Sequence, residues 1–236
     1  MSEHQAEIDR IRAEYQRRAR EIAPDRYSLS KPDNVLRRSG VVRAAAPLLE
    51  TAGLFPPSSA DILDVGCGRG DWLLEMMLWG AAAERLSGVD LDEERVAQAR
   101  RRMPAARIHH GDASALPWAP ETFDLITQFT VFSSILDGSV RRSVAAEMLR
   151  VLRPGGVILW YDLRRNNPWN NNVIGLGKRQ VAELFSGCAV QWRTTTLAPP
   201  VARVAARISW TLAALLESLP PLRSHGLALI RKPAEG

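Results

Sequence analysis

Short apolar runs alternate with longer stretches in which apolar residues recur every three or four positions. The pattern predicts a short buried strand at 62–65 and further strands at 86–90, 107–110, 123–128 and 157–161. The helical spacing predicts helices at 71–79, 92–102 and 140–152, and Arg153-Pro154-Gly155-Gly156 reads as a tight turn into the fifth strand. Strands that alternate with helices imply βαβ units, an α/β fold and a mostly parallel sheet. Upstream, residues 3–22 carry a ragged apolar stripe (Ile8, Ile11, Tyr15, Ile22) and predict an exposed helix ended by Pro24. A second helix is expected over 33–52, with Asp33 as its N-cap and Gly53 at its close. Downstream of Asp162, a polar loop at 164–172 precedes a helix near 177–186. Strands near 189–196 and 226–231 complete the pattern. Between them, Val201, Val204, Ile208, Leu212, Leu215 and Leu219 recur at helical spacing, which predicts one amphipathic helix over 200–219. Its default role is packing on the sheet; lying on a membrane surface is the weaker alternative. The pattern divides the chain into an N-terminal helical lid (1–43) and one domain (44–236), in which the regular alternation occupies 60–162 and a less regular part follows at 163–236.

The 236 residues, 46% of them hydrophobic, suffice for one full core rather than two large ones. Charge is unevenly spread. Residues 1–43 are net +3, residues 44–162 net −5 and residues 163–236 net +7. A basic final third after an acidic middle suggests an anionic partner for that third. Two cysteines, Cys67 and Cys188, make no disulfide framework and read as reduced thiols of a cytoplasmic protein. The charged start of the chain does not read as a signal peptide, and no apolar run reaches membrane-spanning length. Four scattered histidines form no metal-ligand cluster.

The segment Asp64-Val-Gly66-Cys67-Gly68-Arg-Gly70 follows a strand and opens a helix. Glycines there permit a sharp turn and a close approach of backbone to ligand. A dinucleotide fingerprint would place its third glycine at position 71, which is Asp71. A carboxylate at that helix start opposes a pyrophosphate. Asp64 suits a cationic or amine-bearing group instead. Asp90 ends the second strand 26 residues later, where a carboxylate can accept from a ribose diol, and Asp112 ends the third strand 22 residues beyond it. Asp112, with the Ala113 backbone N–H, suits the edge of a purine. Three carboxylates at the ends of three consecutive parallel strands line one crevice.

These residues resemble the class I S-adenosylmethionine-dependent methyltransferases. The resemblance rests on Ile62–Gly70, Gly88-Val-Asp-Leu-Asp92, Gly111-Asp-Ala-Ser-Ala-Leu-Pro117, Phe123-Asp-Leu-Ile126 and Leu149-Arg-Val-Leu-Arg-Pro-Gly-Gly156, and covers about residues 35–162. It implies a Rossmann-like, doubly wound, seven-stranded sheet with helices on both faces, and S-adenosyl-L-methionine as cofactor. It also implies that Gly66, Cys67 and Gly68 with Asp64 hold the methionine part of the donor, Asp64 through water to its amine. Asp90 would take the ribose, Leu91 would pack on adenine, Asp112 and Ala113 would read adenine, and Gln128 and Phe129 would sit beside the donor methyl. Trp160-Tyr-Asp-Leu-Arg-Arg-Asn-Asn-Pro168 resembles a subgroup of bacterial small-molecule enzymes, often associated with polysaccharide or secondary-metabolite genes.

Methyl transfer needs donor and nucleophile in line, and a hydroxyl acceptor also loses a proton. Asp162, at the end of the fifth strand, is the first candidate base and His110 the second; Tyr161 is placed to orient an acceptor. Arg164, Arg165 and Asn167 head a polar loop suited to gripping a sugar or carboxylate. Tyr27, in Tyr27-Ser-Leu-Ser30, is a candidate acceptor contact and hinge. The reading is methyl transfer to a small molecule, acidic or carrier-linked, at a hydroxyl or carboxyl of a secondary metabolite or sugar. Alternatives are an RNA or protein methyltransferase and a donor-binding protein without catalysis. Nucleic acid is not the expected partner, because Gln128-Phe-Thr-Val131 stands where adenine-amino methylation would show an Asn/Asp-Pro-Pro-Tyr/Phe motif.

Overall fold

The computed structural model describes residues 3–23, 25–168 and 170–234. Pro24, expected to end the first helix, lies outside them, as does Trp169 of the polar loop. Two helices, α1 (Glu3–Glu21) and α2 (Pro32–Thr51), precede the alternating part. That part runs β1 (Ile62–Val65), α3 (Asp71–Leu78), β2 (Leu86–Asp90), α4 (Glu93–Arg102), β3 (Arg107–His110), β4 (Phe123–Phe129), α5 (Gly138–Val151) and β5 (Leu152–Leu163). The remainder is α6 (Lys178–Leu184), β6 (Ala189–Leu197), α7 (Pro199–Ile208), α8 (Trp210–Ser218) and β7 (Arg223–Arg231). The strands form one sheet in the order β3-β2-β1-β4-β5-β7-β6, with β7 antiparallel to both its neighbours and the other pairs parallel. This is the expected Rossmann-like sheet, mostly parallel and doubly wound.

Central strands are buried on both faces, so they read as continuous apolar runs. Alternate residues divide between two core clusters. Leu63, Ile126, Ile158, Trp160 and Ala228 join Val144 and Met148 of α5 and Val181 of α6. Ile62, Leu125, Leu159 and Leu227 join Leu48 and Leu49 of α2, Leu73 and Met76 of α3, and Val96 of α4. The expected turn at 153–156 is a bulge inside β5, where pairing with β4 jumps from Leu152 to Val157 and Gly155 takes φ +76°.

Three expectations change. The division at 43/44 falls inside α2, which is continuous; Val41, Ala45, Leu48 and Leu49 are buried against the sheet, so α2 is part of the domain, and Ile11 of α1 also joins its core. That helix starts at Pro32, whose fixed φ suits the first helical position, and Asp33 sits in the first turn rather than capping it. The single helix over 200–219 is two. Ser209 turns extended (φ −161°), and its hydroxyl accepts from the Leu212 N–H to start α8.

Candidate active site

β1 delivers the chain into Gly66-Cys67-Gly68-Arg69-Gly70, in which all three glycines take positive φ (+70°, +53° and +78°). The Gly66 and Cys67 N–H groups donate to the Val89 carbonyl, which pins the loop to the end of β2. At Gly66 glycine is required twice over: an added Cβ would lie 2.3 Å from Cγ2 of Val131 as well as at a left-handed φ. Cys67 turns inward, its Sγ against Gly88, and burial raises its thiol pKa. It packs behind the crevice and is no nucleophile.

Asp90 organises the crevice. One oxygen accepts from the Gly68 N–H at 2.8 Å and the other from the Asp92 N–H at 2.9 Å. Burial nevertheless raises its pKa. Asp112, at the end of β3, accepts from Ser114 N–H and Oγ, and its second oxygen lies 2.6 Å from Nε2 of His4 on α1. Asp64 is deeper, 2% exposed, with the Thr127 hydroxyl donating at 2.7 Å. Burial pushes Asp64 up to about 7, against the Thr127 hydrogen bond and with help from the negative charge of Asp90.

Helix α1 lies across this crevice. Ile8, Ile11 and Tyr15 line it together with Gly66, Asp90, Leu91, Asp112, Ala113 and Val131. Glu7 accepts from the Leu136 and Asp137 N–H groups, Arg10 donates to the Ser134 carbonyl, and Asn172 donates to Glu14. The space beneath α1 is a partly open cleft lined mainly by apolar side chains.

Other expected site residues fall elsewhere. Gln128 is fully buried; its Oε1 accepts from the Val131 N–H and shapes the turn after β4. Phe129 stacks flat on Trp72 at 3.7 Å. Asp162 is not open to an acceptor: it is fully buried, its oxygens accept from the Ser133 and Leu163 N–H groups, and burial pushes it up to about 6. It holds the 132–134 turn, which corrects the first choice of base. His110 is exposed on the edge strand with Nε2 at 3.2 Å from the Leu91 carbonyl, outside the crevice lining. Tyr161 is buried, its hydroxyl 2.8 Å from Thr196 Oγ1 and its ring stacked on His225 at 4.8 Å. Arg164 donates to the Arg223 and Pro220 carbonyls and ties β5 to the start of β7. Arg165, Asn167 and Tyr27 (61% exposed) are surface residues outside that lining. Sequence reasoning did not assign Ile8, Ile11, Tyr15 and Val131 to the crevice; the apolar stripe of α1 was the available signal.

The comparisons with known proteins bear on this geometry. Residues 62–156 match a family described as a methyltransferase domain. The chain carries a class I S-adenosylmethionine-dependent methyltransferase domain. The protein named "Probable S-adenosylmethionine-dependent methyltransferase" of Mycolicibacterium smegmatis is 37% identical over 99 residues, 42% of this chain and 36% of that one. Phthiotriol/phenolphthiotriol dimycocerosates methyltransferase 1 of Mycobacterium ulcerans is 32% identical over 139 residues, 53% and 47% of the two chains. The chain thus spans less than half the length of these relatives. Among solved structures, the 1,6-didemethyltoxoflavin-N1-methyltransferase of Burkholderia thailandensis superposes with a TM-score of 0.67 at 17% identity, over 99% of this chain and 92% of that one. That likeness is one of fold.

The crevice of the methyltransferase domain fits such a donor. Its glycine turn leaves backbone at the end of β1, Asp90 and Asp112 face the lining, and Asp64 is a buried carboxylate with one hydroxyl partner. The raised Asp64 has a signed consequence. Folded Asp64 keeps its proton to about pH 7, whereas the unfolded carboxyl loses it near 3.8. Its contribution to stability is therefore complete below 3.8 and lost as pH rises through 7. A cationic ligand nearby favours the ionised form. Donor affinity should thus fall as pH drops from about 8 to about 6, by up to roughly tenfold per unit below 7. Calorimetric titration at several pH values checks this, and Asp64→Asn should flatten the profile.

Proposed function

We propose that the chain transfers a methyl group from S-adenosylmethionine to an oxygen of a small-molecule acceptor, and that this oxygen arrives already anionic, as a carboxylate or acidic hydroxyl of a metabolite or sugar. The observation that carries methyl transfer is the convergence of the glycine turn, Asp90 and Asp112 on one crevice at the carboxyl ends of β1–β3. The donor supplies a methyl group activated on a sulfonium. The chain's own residues do the rest. Asp90 accepts from the ribose hydroxyls, Asp112 and Ala113 read the adenine edge, Leu91 packs on its face, and Asp64 answers the cationic end. Helix α1 is the lid, whose Ile8, Ile11 and Tyr15 exclude water once it closes.

Support for an anionic acceptor comes from the β4–β5–β7 side. Trp72, Phe129, Tyr161 and His225 form an unbroken row of rings, with centroids 3.7, 5.7 and 4.8 Å apart. Arg37 of α2 acts electrostatically on both Tyr161 and His225. Its helix neighbours Arg38 and Arg43 are paired with Glu75 and Glu217, whereas Arg37 has no ion pair among the described residues. Burial, and then the Arg37 charge, lowers His225 to about 3, so the ring stays neutral and leaves Arg37 as the cation there. A flat acceptor bearing an acidic group suits the half-buried Trp72–Phe129 pair, with Tyr161 and His225 buried behind it and the Arg37 charge acting on both. With Asp162 committed to backbone, an acceptor that needs no proton removed also fits. The relatives' names, for phthiotriol dimycocerosates and for 1,6-didemethyltoxoflavin, support a small-molecule acceptor class.

In the chain saturated with S-adenosylhomocysteine, 4-hydroxybenzoate should bind more tightly than 4-hydroxybenzyl alcohol. Arg37→Gln should weaken the benzoate by about 10- to 100-fold, the worth of one charge-assisted hydrogen bond (about 1.5–3 kcal/mol), and leave the alcohol unchanged. Equal binding of the two probes to the unmodified chain would contradict the acidic-acceptor reading.

A further inference from the structure

Helices α7 and α8 turn their small residues inward and their large ones outward. Ala202, Ala205, Ala206 and Ala213 are buried against Leu36 of α2 and Leu197 of β6. Val204, Ile208, Trp210, Leu212, Leu215 and Leu219 are exposed, by 62, 69, 48, 38, 62 and 47% respectively. Five of these lie on the two helices and Leu219 directly follows α8, and a surface that leaves so many large apolar side chains in water has a covered state. Charge selects what covers it. Residues 199–216 contain Arg203 and Arg207 and no Asp or Glu, while Glu217 is buried and held by Arg43. A second copy docked face to face would oppose the same arginines, which disfavours self-association through this face. An apolar face with arginines beside it and an exposed tryptophan at the helix break matches an interfacial helix on an anionic bilayer.

The topology adds direction. β7 runs antiparallel to β5, and β6 antiparallel to β7, so Leu197 and Arg223 both lie at the sheet edge where β1–β5 end. The α7–α8 pair therefore leaves the sheet on the same edge as the crevice. We infer that α7 and α8 form a docking surface for anionic phospholipid membranes, which brings the acceptor side of the crevice to the bilayer. This goes beyond the methyl-transfer reading and is tested by binding alone.

The full chain is mixed with vesicles of phosphatidylcholine, with and without phosphatidylglycerol, and floated on a density gradient. It should float with the anionic vesicles and lose most of that binding at high salt. Ile208→Ser and Leu215→Ser should each weaken flotation by about tenfold, and Arg203→Ser with Arg207→Ser by about tenfold or more together. These side chains are largely in water, so circular dichroism should stay unchanged. Leu78→Ser, at an 80% exposed leucine on α3, should float like the unmodified chain. Failure to float with either vesicle overturns the inference. Undiminished flotation of Ile208→Ser/Leu215→Ser does so too, as does a self-association that these substitutions abolish in the absence of vesicles.

Discussion

Asp90→Ala should weaken S-adenosylhomocysteine binding by at least about 100-fold, with the fold retained. Two effects add. The carboxylate that meets the ribose diol is removed, and each charge-assisted hydrogen bond lost costs about 1.5–3 kcal/mol. The Gly68 N–H also loses its acceptor at 2.8 Å, so the glycine turn loses the tie that sets its shape. Stability itself should change little or rise, because a buried carboxylate whose pKa is already raised by burial is being removed. Asp90→Asn keeps one acceptor oxygen and should fall between the two in affinity. Calorimetry gives the affinities and thermal melts give the stability. Unchanged affinity in Asp90→Ala would remove Asp90 from the donor site.

Gly66→Val should have the largest effect on stability. Its φ of +70° strains any β-branched residue, and its Cβ would meet Val131 at 2.3 Å. Together these cost roughly 2–4 kcal/mol, which in a chain of this size lowers Tm by about 5–15 °C. The crevice would lose donor binding as well, since Gly66 and Val131 both line it. Gly53→Ala provides the control. It carries a similar φ of +74° with nothing within 4 Å of an added Cβ, so it should cost only the backbone term, about 1–2 kcal/mol. A Gly66→Val protein that melts like Gly53→Ala would refute the close approach of Val131.

That three carboxylates share one end of the sheet was legible because each lies at or close to the end of its strand in the chain. Asp64 and Asp90 lie in the short buried strands β1 and β2, Asp112 follows β3 by two residues, and the parallel pairing of these strands brings the three to one end of the sheet. The acceptor half depends on contacts between distant segments, and there the reading failed. A carboxylate after β5 looks the same in sequence whether it takes a proton or holds a turn; the Ser133 and Leu163 N–H groups on Asp162 decide for the turn. Arg164 reads as a loop arginine, yet its partners are carbonyls 56 and 59 residues away. The stripe from Val201 to Leu219 has helical period, but period alone does not say whether the large side chains or the alanines face the core. Close packing of α7 on α2 selects the alanines. Helix α1 showed its apolar stripe plainly; that the stripe lands on the donor crevice follows only from the bonds of His4, Glu7 and Arg10 across it.

The most direct measurement is calorimetric titration of the unmodified chain with S-adenosylmethionine, S-adenosylhomocysteine and NADH. The crevice predicts one site per chain with micromolar Kd for the first two, about −8 kcal/mol, and no heat from NADH. Binding of NADH with no response to either sulfur nucleoside would contradict it.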